Sequence, residues 1–291
     1  MKPVTSTICA SRGGAARNAG EKMNVELLRP GAHAGRARVV LFDFDGTVSL
    51  IRSGWVGVMV PMMVEILLDL KTGESEAELG ALVEEYVGRL TGRQTMYQMI
   101  ELARQVELRG GVRLEPLEYK RMYYARLATL IEDRLEGLRA GRIAPDEMMV
   151  PGARRLLDGL RERGLQMYLA SGTDEPYMRE EARLLGVEGY FNGRVFGALD
   201  DYKSFSKKIL IERILNSSEF RGEEFLGFGD GYVEIENVRA VGGATVGVAT
   251  DEPWCARVDE VKRRRLAEAG ADWIIPNYNC YEELMTALFP R

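Results

Sequence analysis

The chain has a single histidine, His33, and only three cysteines, Cys9, Cys255 and Cys280. One histidine, set in a Gly/Ala/Arg stretch, removes serine–histidine–aspartate and cysteine–histidine mechanisms and histidine-ligated metals from consideration. Three widely separated cysteines without a Cys-x-x-Cys spacing offer neither a disulfide framework nor a zinc site, so a reducing, cytoplasmic setting is expected. No stretch approaches the roughly 18 consecutive apolar residues of a membrane span. Residues 1–22 lack the apolar segment of a secretory signal and leave an amphipathic targeting peptide open. The basic excess of a nucleic-acid binder is missing too, since the formal net charge is −5. A small anionic substrate remains compatible with that balance, because one local positive site can sit on an acidic protein.

What is present is ample material for a buried core: 291 residues, enough for one large or two modest soluble domains. Residues 1–37, rich in Gly, Ala, Arg and Ser, read as a mostly flexible extension, with Val25 to Leu28 as a short strand or docked segment. The organising stretch is Val39-Val40-Leu41-Phe42-Asp43-Phe44-Asp45-Gly46-Thr47. Four apolar residues in a row predict a short strand buried on both faces. Strand alternation then sends Asp43 and Asp45 to the same side. Two like charges at the end of a buried strand repel and are costly to desolvate, so a cation or a reaction must compensate. The ordinary alternative is an acidic turn.

From Trp55 to about Ala140 the apolar spacing turns helical, as in Val60, Met63, Val64 and Leu67, and again in Tyr123, Leu127, Leu130 and Ile131. Thr91-Gly92-Arg93-Gln94 and Gly110-Gly111 punctuate these helices. Strand and helix alternate afterwards. Leu165 to Ala170, Phe225 to Gly229, Ala244 to Ala249 and Trp273 to Ile275 read as strands, residues 191–198 as a loop or short strand, and Ser206 as a helix cap. The expected architecture is therefore α/β: a parallel, Rossmann-like sheet covered by helices, interrupted by an all-helical insert. Its expected divisions are the extension at 1–37, a core of 38–54 and 145–291, and a helical cap at 55–144. Ligands of such sheets bind beyond the carboxyl ends of the strands, where Asp43/Asp45, Ser171/Thr173 and Asp230/Glu234 all fall.

Asp43-Phe44-Asp45-Gly46-Thr47, Ala170-Ser171-Gly172-Thr173, a lysine at a helix start and Gly229-Asp230-Gly231-Tyr232-Val233-Glu234, in that order, resemble the four motifs of the haloacid dehalogenase-like superfamily. The insert after the first motif is similar to the helical cap of its phosphoglycolate-phosphatase and β-phosphoglucomutase relatives. The resemblance implies that Asp43 is a nucleophile forming an aspartyl-phosphate, and that Asp45 is the acid and base serving the leaving oxygen and water. An ionisable residue at 45 favours a phosphatase or phosphomutase over a pump-type ATPase. By the same resemblance Ser171 bonds a phosphoryl oxygen with the Gly172 loop beside it, and a lysine supplies positive charge. Lys207 is the choice over Lys203 and Lys208, because it opens the helix after Ser206. Asp43, Asp45 (through its carbonyl), Asp230 and Glu234 are the expected metal set. Glu234 stands one helical turn after Asp230, able to ligate directly, act through water or only orient Lys207. Hard oxygen donors imply Mg²⁺. Glu236 and Asn237 are weaker candidates on the same helix. Thr47, Arg52, Ser171, Gly172 and Lys207 are the expected substrate contacts, with Arg93 reaching in when the cap closes.

The expected activity is hydrolysis of a small phosphorylated metabolite, such as a sugar phosphate, by a monomer or homodimer without nucleic-acid or membrane partners. A phosphomutase or phosphotransferase, and a catalytically silent binding or regulatory subunit, are the alternatives.

Overall fold

The computed structural model describes residues 25–199, 206–217 and 220–290. Residues 1–24 of the expected extension and Lys203 lie outside the described residues. The elements in chain order are β1 (Glu26–Leu27), β2 (Val39–Phe42), α1 (Val56–Leu68), α2 (Glu76–Arg89), α3 (Thr95–Leu108), α4 (Pro116–Arg139), α5 (Ala153–Glu162), β3 (Gln166–Asp174), α6 (Glu175–Leu184), α7 (Glu188–Phe191), β4 (Val195–Ala198), α8 (Lys207–Ser217), β5 (Phe225–Gly229), α9 (Tyr232–Ala240), β6 (Ala244–Val248), α10 (Glu260–Glu268), β7 (Trp273–Ile275) and α11 (Tyr281–Leu288).

Among the described residues the strands form one sheet in the order β1-β7-β6-β5-β2-β3-β4. Every pairing is parallel except that of β1 with β7. Strand β2 lies at the centre, and all four of its residues are buried. Its alternate side chains enter opposite layers: Val39 and Leu41 join Leu210, Ile211, Ile214 and Val238 of α8 and α9. Val40 and Phe42 join the cluster that holds Leu156, Leu157 and Leu160 of α5. Burying each of these side chains contributes about 1.5–3 kcal/mol. Phe42 stacks on Phe228 of β5 with ring centroids 4.8 Å apart. That contact fixes the ends of β2 and β5 side by side, and Asp43 and Asp230 follow those ends.

Two stretches left open by the sequence are strands, and one helix lies beyond its expectation. Within the stretch read as a flexible extension, Glu26–Leu27 pairs with β7, Arg29 bonds Asp272, and Ala34 is buried. An uncovered β7 edge would leave a row of unpaired backbone groups, and β1 satisfies them. Residues 195–198 are a strand, β4, extending the sheet past β3. Helix α11 was not anticipated, although Leu284, Met285 and Leu288 repeat at helical spacing and all three are buried. The insert consists of α1 to α4, and α4 packs back on α6 of the core. Helix α2 begins with a full capping box: the Glu78 amide donates to the Ser75 hydroxyl, and the Ser75 amide donates to the Glu78 carboxylate.

Candidate active site

The ends of β2, β3 and β5 place three acidic and hydroxyl motifs at one edge of the sheet, under the turn that joins α2 to α3. A cavity of about 80 Å³ lies between them, lined by Asp43, Asp45, Ser171, Thr173 and Asp230 from the core and by Thr95, Gln98 and Tyr123 from the insert. The turn seats directly on glycines. A Cβ on Gly172 would stand 2.6 Å from the Arg93 carbonyl oxygen, and one on Gly231 would stand 3.0 Å from the Gly92 Cα. A larger residue at Gly172 would force the Arg93 backbone to shift, and one at Gly231 would crowd Gly92.

Asp43 is buried, and the Lys207 ammonium donates to its Oδ1 at 2.7 Å. Lys207 also contacts Glu234, which is fully buried. Burial pushes Asp43 up to about 7; Lys207 pulls the other way, while Asp230 and Asp45 add to the rise. Asp45 is held differently. Its Oδ2 accepts hydrogen bonds from Ser171 Oγ at 3.1 Å and Thr173 Oγ1 at 2.8 Å. Its Oδ1 is buried without a hydrogen-bond partner among the described residues, with Arg52 Nε 3.9 Å away. Arg52 is itself anchored by Glu181 of α6, donating from Nε at 3.0 Å and from Nη2 at 2.7 Å. Burial works against the charge on Arg52, but Glu181 and Asp45 more than offset it and hold the guanidinium above its ordinary range.

Asp230 is fixed from two sides. Its backbone N–H donates to Thr47 Oγ1 at 3.0 Å, and its Oδ2 takes Lys262 Nζ at 3.0 Å. Lys262 donates in turn to Glu252 Oε1 at 2.7 Å. Burial raises Asp230 above the usual carboxylate range, with Lys262 opposing and Glu252 adding to the rise. Gly46, at φ +73°, makes the close approach possible: a Cβ there would lie 2.3 Å from Asp230 Oδ2.

Several candidate residues already have partners within the protein. Glu234, expected to ligate a metal directly or through water or to orient Lys207, lies against Lys207, where its buried carboxylate finds a counter-charge. Ser171 and Thr173 hold one oxygen of the Asp45 carboxylate, and the expected role of Asp45 toward a cation is through its backbone carbonyl. Thr47, expected to touch substrate, is completely buried and its oxygen accepts the Asp230 amide. Ser171, expected to bond a phosphoryl oxygen, directs its hydroxyl at Asp45. Asn237 donates within α9 to the Val233 carbonyl, and it and Glu236 line an adjoining cavity with Lys207 and Lys208. Arg52 and Gly172 do line the site, as does Arg93, whose Nε donates to the Tyr232 hydroxyl across the seam. Thr173 belonged to a quoted motif without a role. Glu181, Glu252 and Lys262 were missed, since each reads as an ordinary charge on a polar helix or loop.

Among the described residues no group of three or more His, Cys, Asp or Glu side chains forms a metal cage. Mg²⁺, however, commonly takes one or two carboxylates and keeps its waters. Asp43 and Asp230 face one cavity, and the charge on Asp230 adds to the proton affinity of Asp43. Together with the Asp45 carbonyl this oxygen set fits a hard divalent cation.

The family model of haloacid dehalogenase-like hydrolases matches residues 37–242, most of the chain. The chain belongs to the haloacid dehalogenase-like hydrolases. No curated protein matches it. Its fold is shared with a predicted phosphoglycolate phosphatase of Haemophilus somnus 129PT, at 13% identity and a TM-score of 0.55, covering 86% of this chain and 98% of that one. A predicted phosphatase of Clostridium acetobutylicum aligns at 18% identity and a TM-score of 0.54, covering 87% and 99%. A β-phosphoglucomutase of Clostridium difficile aligns at 15% identity and a TM-score of 0.50, covering 80% and 98%. At these identities the likeness is one of fold, and this haloacid dehalogenase-like hydrolase shares the α/β core and helical cap of phosphatases and phosphomutases. Among the described residues no helix is long and apolar enough to cross a membrane.

Proposed function

We propose that this hydrolase is a Mg²⁺-dependent phosphatase of small phosphorylated metabolites, working through an aspartyl-phosphate on Asp43. The observation that carries the reading is the unequal treatment of the two neighbouring carboxylates. Asp43 has a lysine against it and opens on the cavity. Asp45 has one oxygen locked by two hydroxyls and the other buried and unpartnered. A carboxylate fixed in that way is suited to hold and return a proton at Oδ1.

Asp43 attacks phosphorus as the bond to the leaving oxygen breaks, and that oxygen takes the proton from Asp45 Oδ1. Asp45, now ionised, removes a proton from water, which attacks phosphorus, frees Asp43 and leaves inorganic phosphate. Lys207 keeps Asp43 oriented and offsets charge as the phosphoryl group arrives. Bound Mg²⁺ would screen the phosphoryl oxygens from the carboxylates. The turn seated on Gly172 and Gly231 keeps bulk water away from the intermediate.

A cavity of about 80 Å³ is small beside the roughly 300–1,000 Å³ of drug-sized ligand pockets, which supports a substrate of a few carbons. Hydroxyl and amide groups of Thr95 and Gln98 beside the Tyr123 ring suit a polyhydroxylated one. Hydrolysis of p-nitrophenyl phosphate and of a panel of sugar and small-acid phosphates, with and without Mg²⁺, tests the reading. Asp43→Asn is expected to abolish turnover while the chain stays folded. Undiminished turnover in that variant would remove Asp43 as nucleophile, and absence of Mg²⁺-stimulated release across the panel would remove the phosphatase.

A further inference from the structure

Each of the two carboxylates able to hold the cation is backed by a lysine, and each lysine by a glutamate. Asp43 meets Lys207, which meets Glu234; Asp230 meets Lys262, which meets Glu252. Each row carries a net charge of −1, so the two together match one divalent ion. The rows differ in one respect. Lys207 and Glu234 are sealed in the core, whereas Lys262 and Glu252 keep about a fifth of their side-chain surface exposed, at 19% and 18%. The second row has room to rearrange.

We propose that Lys262 is the resident counter-ion of Asp230, and that Glu252 retains this lysine when a divalent cation takes its place, so that the pair sets the cation affinity of the site. The inference rests on the phosphatase reading of the centre. Lys262 sits against Oδ2 of Asp230, at 3.0 Å. Its ammonium repels an incoming cation. Glu252, at 2.7 Å, draws the ammonium away from Asp230 and adds a negative charge near the site. A Cβ on Gly46 would lie 2.3 Å from Asp230 Oδ2 and 3.2 Å from Glu252 Oε1, so the two acids flank one narrow space. The loop after β6 and helix α10 thereby act on a centre that the sequence motifs confine to the ends of β2, β3 and β5.

The test is Mn²⁺ binding to the full chain, measured by electron paramagnetic resonance of the free ion, with no substrate present. Lys262→Met removes the competitor and should tighten Mn²⁺ binding roughly tenfold, and Glu252→Gln should weaken it by a similar factor. Lys262→Arg keeps the charge and should bind as the parent does. The double variant, which deletes a neutral pair, should return close to parental affinity. Weaker binding in Lys262→Met would show that the lysine only props Asp230, and equal affinities in all four variants would show that the pair is inert. Either result overturns the inference. Asp230→Asn separates the two levels: if it binds Mn²⁺ as the parent does, or if the parent binds none, the cation site itself falls. Should Lys262→Met fail to fold by circular dichroism, Glu252→Gln decides, because parental affinity there refutes the inference unaided.

Discussion

Replacing Thr47 by Val is the sharpest perturbation the site offers, because it separates a structural hydroxyl from a substrate-binding one. Valine keeps the branched shape in a position with no exposed surface and deletes only the oxygen that accepts the Asp230 amide at 3.0 Å. That N–H would then be buried without an acceptor, at a cost of about 1–3 kcal/mol. Loss of a neutral hydrogen bond between two partners that could both reach water would cost less, about 0.5–1.5 kcal/mol. We therefore expect about 2 kcal/mol in urea unfolding, seen as a lower midpoint at unchanged slope, since the unfolded surface is the same. Because the amide pins the start of the loop carrying Asp230, the Mg²⁺ concentration needed for half-maximal activity should rise. KM for p-nitrophenyl phosphate at saturating Mg²⁺ should stay as it is. Thr47→Ser, which keeps the acceptor and loses one methyl, should recover most of the loss. A Thr47→Val protein as stable as the parent but with a raised KM would refute the reasoning and return Thr47 to the substrate.

Gly46→Ala should cost stability through its left-handed backbone, by about 1–2 kcal/mol, and should also cost activity, because its Cβ would overlap Asp230 Oδ2. An active Gly46→Ala enzyme with parental Mg²⁺ dependence would contradict the close approach. In EDTA, the folded chain should bind a proton at Asp43 that the unfolded chain has released, because burial lifts this group from 3.8 to about 7. Its contribution to stability therefore falls as pH rises across that interval. Comparing urea midpoints at pH 5 and 7.5, this downward component should disappear in Asp43→Asn, and an identical pH profile in the two proteins would count against it.

The sheet was legible where side chains had to be apolar on both faces, as in Val39–Phe42 and Phe225–Gly229, and the helical insert was legible from its spacing. The acidic pair after β2, the Ser171 loop and Asp230 were legible too, because charged and hydroxyl residues at strand ends have no packing reason to be there. What escaped the sequence shares one cause. Glu181, Glu252 and Lys262 stand on polar stretches among exposed charges, and only tertiary approach across 129, 206 and 32 positions separates them from solvent-facing neighbours. Glu234 was legible as a site residue but not in its partner, since a glutamate one turn after Asp230 has the reach for either a cation or Lys207. Helix α11 escaped although its periodicity was present, its eight residues giving a short signal after β7.

The seam at Gly172 and Gly231 has a bearing on how broad the enzyme's diet can be. Main chain meets main chain there, so the seated turn cannot register what has entered, and discrimination falls to the side chains that hang into the chamber from α3 and α4. Head-room is consequently set by bare backbone, while Thr95, Gln98 and Tyr123 line the chamber beneath it. On the phosphatase reading, retargeting to another substrate of similar size would act at those three positions, whereas a larger one would require remaking the seam.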